Sequence, residues 1–508
     1  MYSISRRAFV SSLSAAAGAA AWPAAGRSST VGNTVAAAPA LQSVRKFIQD
    51  KVTKGIVPSV VVQVTRDGKP IWAEAFGFAD LENRRPATLD SIYKIASISK
   101  PFTVSALMTL VDRGIVDLDR PANAYLKSSK LRAYRGFPDQ MTLRRLANHT
   151  SGLPIHEILF FDGAPRLTPA ETIARYGFAA SVPGTRFVYS NLGTATLGFV
   201  SADVTRTSWP AFMREAILDP LGLSSTFPEL MPGREAAMAG AKARHLTRQY
   251  DYDISGRFVR TGAHLTSHPG ASSMWSNAAD LTRFAEMHLN GGAYRGRQIL
   301  SPTAVATMQQ FVVATDDPGV VHGSGWIQHA NLVRRNFNHS GGGPGMGVAL
   351  AAYPDDGVVS VVLTNYSGAM AVETNRQIAE ALFGPAAAPP TSTAAKASAP
   401  PEPLIGKWCG FLRHHDGDIA VELNIVSGDS AEMRFGRIPP AQLAQVTARG
   451  GEFSGTAVGI LMRGPGYHGD SIIDFALRLE DGLLVGIADT YAKGYFEVAH
   501  WVEMKRIS

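Results

Sequence analysis

Between residues 386 and 402 the chain has no apolar period. Ala, Pro, Ser and Thr make up the stretch, and Lys396 and Glu402 are its only charges. Such a segment has no face to bury and behaves as a semi-stiff extended spacer. A chain of 508 residues is already too long for one ordinary core. The spacer predicts where it divides: a leader over 1–40, a first domain over 41–385, the linker over 386–402 and a second domain over 403–508.

Beyond the linker, glycine turns punctuate short alternating runs such as Ile419 to Ile425, Ile472 to Leu479, Leu483 to Ala488 and Phe496 to Val502. Closely spaced runs of period two predict a small β-barrel. Its opening, Gly406-Lys407-Trp408-Cys409-Gly410, looks like the glycine-x-tryptophan start of lipocalin-like barrels. Cys409 is the one cysteine, so no intramolecular disulfide is possible, and its strand-like surroundings predict a small buried hydrophobe. His414-His415-Asp416 has ligand-type side chains, but neighbours in a strand face opposite ways. A turn is predicted there, and no metal site is expected.

The first domain is organised around Ser97-Ile98-Ser99-Lys100-Pro101. Val104, Leu107, Met108 and Val111 follow with a helical period, and Pro101 is tolerated only in a first turn. A helix starting within a residue or two of Ser97 puts Lys100 on the same face as the Ser97 hydroxyl. A serine needs such a neighbour to become a nucleophile, and free N–H groups at a helix start suit an oxyanion. Around this run a helix is predicted over Leu41 to Lys54. Strands over Ser59 to Thr65 and Ile71 to Phe78 should be joined by an Asp67-Gly68 hairpin turn. From Leu118 to about Ala271 short helices and loops are predicted, Thr142 capping Leu143 to Asn148, Thr168 capping Ala170 to Tyr176, and Trp209 to Leu218 helical. Then come a helix over Ala279 to Leu289, strands over Gly347 to Tyr353 and Val358 to Thr364, and a closing helix over Val372 to Leu382.

Two later motifs complete a set. Tyr189-Ser190-Asn191 lies downstream of the serine, and His339-Ser340-Gly341-Gly342 opens a strand-like run. Serine-xx-lysine, tyrosine-x-asparagine and a basic-x-glycine triad, in that order, resemble the class C β-lactamase-like branch of the penicillin-recognising serine hydrolases, with D,D-peptidase and esterase relatives. Leu146 to Pro154, Asp219 to Leu223 and Ser276 to Leu281 add to the likeness, which runs from about Leu41 to Leu382. It implies an α+β fold, an antiparallel sheet flanked by helices with a helical subdomain, to which the barrel is added. It implies Ser97 as nucleophile and Lys100 with Tyr189 as the proton-transfer pair. Asn191, His339, Ser340 and Gly341 would then bind substrate, with Ser97 and Gly342 N–H groups as the oxyanion hole. No cofactor is implied. His149 is expected to hydrogen-bond structurally, and Trp275 and Trp326 fit either the cleft or the core.

The implied activity is acyl transfer to water from an ester or a D-amino-acid peptide or amide. A true β-lactamase, or an acylating sensor without turnover, are the alternatives. His339 stands where many relatives carry lysine. With a reference pKa of ~6.5 it loses its charge near neutrality, favouring substrates without a carboxylate. The formal charge of +7 includes Arg6, Arg7 and Arg27 of the leader and forms no basic run, so nucleic acid is not an expected partner. Arg6-Arg7 before an alanine-rich stretch predicts twin-arginine export to the periplasm or medium, with cleavage after Ala25 or near Ala38 or Ala40. No membrane span is expected after cleavage, no cysteine near the signal offers a lipid attachment, and association is expected to use the C-terminal domain. A chain ended near Ala387 is expected to fold and hydrolyse a small ester.

Overall fold

The computed structural model describes residues 34–161, 167–228, 244–253, 255–261, 264–311, 313–315, 317, 319–329, 334–385, 404–460, 471–492 and 496–508. Residues 1–33 of the expected leader and the whole expected linker lie outside them. Two compact units emerge, one from residues 1–120, 194–265 and 269–390, the other from 121–193, 266–268 and 391–508. The division cuts across the serial order expected from the linker, because residues 121–193 group with the barrel.

The first unit is built on an antiparallel sheet. Its strands run Val313–Ala314, Val320–His322, Ile327–His329, Phe337–Gly343, Met346–Tyr353, Val358–Thr364, Ser59–Arg66, Lys69–Asp80 and Arg85–Pro86. The Asp67-Gly68 turn forms as expected, with φ of 51° and 71°, the left-handed pair a tight hairpin needs. On one face the helices Gln42–Thr53 and Met370–Phe383 press Val44, Ile48, Ile378 and Ala379 onto Val60, Val62, Trp72 and Val362. Ser99–Asp112 is buried nearly all round, as the apolar composition of this helix requires. Residues 35–38, within the expected leader, are tied to the sheet. Val35 exchanges both backbone bonds with Ala73, and Ala38 N donates to Ile71 O, because the strand edge there has free backbone groups to fill.

The second unit is an up-and-down barrel. Gly406–Arg413, Ile419–Ser427, Ser430–Phe435, Glu452–Ile460, Ser471–Glu480, Leu483–Ala492 and Phe496–Arg506 pair as antiparallel neighbours in meander order. Two short consecutive strands stand at the seam between the third and fourth of these: Ala441–Gln442 pairs with Ser430–Phe435 and Ala444–Arg449 with Glu452–Ile460, so the ring is nearly closed. The last strand pairs with the first. Trp408, Leu423, Met433, Phe475, Leu484 and Met504 fill the interior, and Trp408 Nε1 donates to Leu404 O at 2.9 Å. Cys409 is half-buried on its strand, not buried, since alternate residues of a barrel strand face outward.

Residues 121–193 rest on the outside of this barrel. His156–Phe161, expected as loop, is a strand whose His156, Glu157 and Ile158 pair with Val498, Glu497 and Phe496. Phe178 and Ala180 pack with Val485, Ala499 and Trp501, while Tyr134 stacks on Trp501 at 5.3 Å. Arg135 lies over the Trp501 ring and is ion-paired with Glu480. The caps at Thr142 and Thr168 form as expected. Among the described residues, no helix is long and apolar enough to cross a membrane.

Candidate active site

Ser97 sits in a 3-10 turn, Ala96–Ile98, that runs directly into the helix Ser99–Asp112. Ala96 has φ of 44°, an unfavourable left-handed conformation for a residue with a Cβ, so tertiary contacts must hold it. They are visible. Ser99 Oγ accepts from Met274 N at 3.1 Å, and Thr103 Oγ1 donates to Gly270 O at 2.6 Å. Lys100 is fully buried, and its Nζ reaches Ser97 Oγ at 2.9 Å and Ala271 O at 3.2 Å. A buried lysine nitrogen 2.9 Å from a half-buried hydroxyl can donate to it when protonated, and only as the neutral amine can it take that hydroxyl's proton.

The strand Phe337–Gly343 runs beside this turn. A Cβ on Gly341 would lie 2.9 Å from Ser97 N and 2.6 Å from Ile95 O, so only glycine permits the approach. Ser340 and Gly342 alternate with it onto the exposed side. Among the described residues the neighbouring strand Ile327–His329 pairs with this one at Asn338 alone, which leaves the edge from His339 onward unpaired on that side. An open edge next to a serine gives free backbone groups for an extended substrate.

His339 is 2% exposed and shares Gly341's side of the strand. Its Nδ1 lies 2.7 Å from Ser340 O, which can only accept, so Nδ1 carries the proton and Nε2 is the acceptor. Nε2 is buried and without a partner among the described residues. Burial first, and the Lys100 charge second, hold the His339 imidazole down to about 3, so it is neutral well below the pH at which a free histidine titrates. The expected loss of charge near neutrality is therefore corrected: in this site the ring is already uncharged.

Sequence reasoning missed His322, whose imidazole is likewise buried, held to about 3 by burial and by Lys100. The signal was the glycine-rich run His322-Gly323-Ser324-Gly325-Trp326. At Gly325, φ is +80° and a Cβ would come 3.0 Å from Val104 Cγ2 on the helix Ser99–Asp112. Trp326 belongs to the core, fully buried against Phe284 and Phe337. Trp275 packs with Ile92, Phe227 and Leu246.

Tyr189 and Asn191 belong to the second unit by compactness. Ser190 Oγ accepts from Gly193 N at 3.0 Å and donates to Pro154 O at 2.9 Å, so it starts the helix Asn191–Thr205 and ties it to the 149–154 segment. His149 has the structural role expected of it. Its Nδ1 accepts from Ser190 N at 3.1 Å, its carbonyl accepts from Val188 N at 2.8 Å, and its ring lies 4.5 Å from that of Tyr189. Tyr189 is half-buried and Asn191 buried.

The Beta-lactamase family profile matches residues 44–383. The chain is 25% identical over 322 residues to penicillin-binding protein 4* of Bacillus subtilis, covering 60% of this chain and 67% of that one. The first curated relatives are spanned over 22% to 67% of their length. The octameric penicillin-binding protein homologue from Pyrococcus abyssi is similar in structure at a TM-score of 0.57 and 22% identity, over 92% of this chain and all of that one. A D-amino acid amidase from Ochrobactrum anthropi, solved with D-phenylalanine, aligns at a TM-score of 0.55 and 23% identity over 68% of this chain and 98% of its own.

Proposed function

The chain belongs to the Beta-lactamase family, and from that premise we propose that it is an exported serine hydrolase working through an acyl-enzyme on esters or D-amino-acid amides and peptides. Ser97 Oγ attacks the carbonyl carbon, and its proton passes to the Lys100–Tyr189 pair. The N–H groups of Ser97 and Gly342 hold the oxyanion. The tetrahedral adduct then expels its alcohol or amine, which takes the proton back, and water repeats the steps in reverse roles to free Ser97. Asn191 orients the substrate amide.

One observation carries this reading: the Lys100 Nζ–Ser97 Oγ distance of 2.9 Å around a fully buried lysine. The substrate class rests on His339. A buried, neutral ring offers no cation to a substrate carboxylate, where a lysine at the same position would. That favours simple esters and D-amino-acid amides over β-lactams, the alternative the family premise leaves open. The similarity to a D-amino acid amidase supports the amide part of that range, and the penicillin-binding relative keeps the β-lactam alternative in view. Arg6-Arg7 supports export. Cleavage after Ala25 keeps the Val35–Ala73 pairing, and cleavage at Ala38 or Ala40 would remove it. The opening Gly406-Lys407-Trp408 supports a lipocalin-like barrel.

The test is kcat/KM of the purified protein on nitrocefin, a short p-nitrophenyl ester and a D-alanyl p-nitroanilide. The ester and the D-alanyl amide should each exceed nitrocefin by more than about tenfold, or about 1.4 kcal/mol in transition-state binding. A nitrocefin value above both overturns the assignment in favour of a β-lactamase. One equivalent of product without steady turnover on all three would identify an acylating sensor.

A further inference from the structure

At one end of the barrel the turn between Gly406–Arg413 and Ile419–Ser427 gathers ligand-type side chains that the acyl-transfer chemistry does not use. The turn is closed by Gly417 N donating to His414 O at 3.1 Å, and Asp416 N donates to His414 Nδ1 at 3.2 Å. Turning, rather than extending, the backbone puts the two histidines on one side, their ring centroids 4.0 Å apart and tilted by 38°. Asp416 Oδ2 lies 3.4 Å from His415 Nε2 and 3.9 Å from His414 Nδ1. One ligand atom each from His414, His415 and Asp416 falls within 4.8 Å of the others. His500, on the last strand, stacks a third imidazole 5.2 Å from His414 and faces Arg413 O through Nδ1 at 3.3 Å.

Burial makes this cluster expensive as it stands. The histidine side chains are 11% and 10% exposed, the Asp416 side chain 76%. His415 Nδ1 is buried and unpartnered among the described residues, and Tyr176, its ring 5.8 Å away, brings no charge to the histidine. Two largely buried imidazoles beside one exposed carboxylate satisfy a metal's needs far better than each other's.

We propose that His414, His415 and Asp416 form a site for a divalent transition metal of zinc type, with water completing the coordination and His500 positioning the His414 ring. The donor set of two imidazoles and a carboxylate, without thiolate, suits Zn²⁺, Co²⁺ or Ni²⁺ rather than Ca²⁺ or Cu⁺. Bonds of about 2.0–2.2 Å require the donor atoms to close to roughly 3.3 Å, a movement the exposed Asp416 side chain can make. The ion would fasten the first turn of the barrel and have no part in the Ser97 chemistry.

The test uses untagged full-length protein stripped with EDTA and dialysed. Titration with ZnCl₂ by calorimetry, and with CoCl₂ by visible absorption, should show one saturable equivalent per chain, and zinc should raise the melting temperature. His414→Ala and His415→Ala should each weaken zinc binding tenfold or more, while Ser97→Ala binds like wild type. If those variants do not fold, wild-type protein decides: zinc should protect His414 and His415 from diethyl pyrocarbonate, read by peptide mass. No saturable binding below about 1 mM, well outside the range of protein zinc sites, overturns the proposal. So does one equivalent that persists in the double histidine variant, or carbethoxylation of both histidines at an unchanged rate in zinc.

Discussion

Ser97 and Lys100 are three residues apart on one turn of chain, and their geometry is set by a helix start and a glycine at van der Waals limit. Tyr189 is held differently. Its neighbour Ser190 is anchored to His149 and Pro154, and two residues on from Pro154 the chain enters a strand that pairs with the C-terminal strand Phe496–Arg506. Phe178 and Ala180, on the approach to the same motif, lean on Trp501. The Ser97 segment is thus held by local contacts around a buried helix, and the Tyr189 segment belongs to a unit tied to a barrel much later in the chain. Substitutions in the first should cost chemistry with the fold intact. Substitutions in the second should cost fold and geometry together.

The strongest way to break this contrast is to remove the barrel. A chain ended at Pro385 loses the strand partner of His156–Ile158 and uncovers Phe178 and Ala180. It should aggregate or unfold without a cooperative transition, opposite to the independence that the linker suggested. A soluble truncated chain with full esterase activity would show that residues 121–193 do not need the barrel. Next in size is Ser97→Ala, which should lower kcat by a factor on the order of 10⁴ or more with an unchanged melting temperature. A variant that loses the fold along with the activity would erase the distinction.

Smaller and more discriminating is Trp501→Ala. It removes a ring 2% exposed, stacked on Tyr134 and covered by Arg135. Truncations of this kind cost about 3–5 kcal/mol, and Trp501→Phe should recover most of it. If the barrel positions Tyr189, kcat should fall with KM little changed, and adding Tyr189→Phe should lower it little further, because both act through one group.

The smallest effect is pH. His339 and His322 in the first unit, and His156 and His500 in the second, are held by burial to about 3 from 6.5. Between those values the unfolded chain binds more protons than the native one, so this stability is fully present above 6.5 and lost as pH falls toward 3. Both units should therefore weaken in acid, seen as a falling denaturant midpoint. Over pH 5.5–8.5 the ratio of kcat/KM for an anionic and a neutral ester should stay flat, a range in which a free histidine would titrate. A ratio that follows a pKa near 6.5 would mean that His339 carries charge in the working enzyme.

The same contrast explains what could be read from the residues. The Asp67-Gly68 turn, the caps at Thr142 and Thr168, the helix after Ser97 and the alternating runs after residue 403 were legible because each is decided within a few residues. The strand at His156–Phe161 was not. Its apolar run has no turn signal or alternation of its own, and its partner strand lies at the far end of the chain. Motif order singled out Ser97, Lys100 and the His339 triad as candidates, yet the neutrality of His339 depends on burial beside Lys100, which only tertiary packing supplies. His322 escaped for the same reason. The pair His414-His415 was legible as a turn, but not the approach of His500 to it.

The central claim is that Ser97 is the nucleophile and Lys100 its activator. Labelling the full-length protein with a fluorophosphonate and mapping the adduct by peptide mass tests it most directly. A single adduct on Ser97 is predicted, absent in Ser97→Ala and formed at least about a hundredfold more slowly in Lys100→Ala, within the usual range for a lost general base. An adduct on any other residue, or labelling of Lys100→Ala at the wild-type rate, would contradict it.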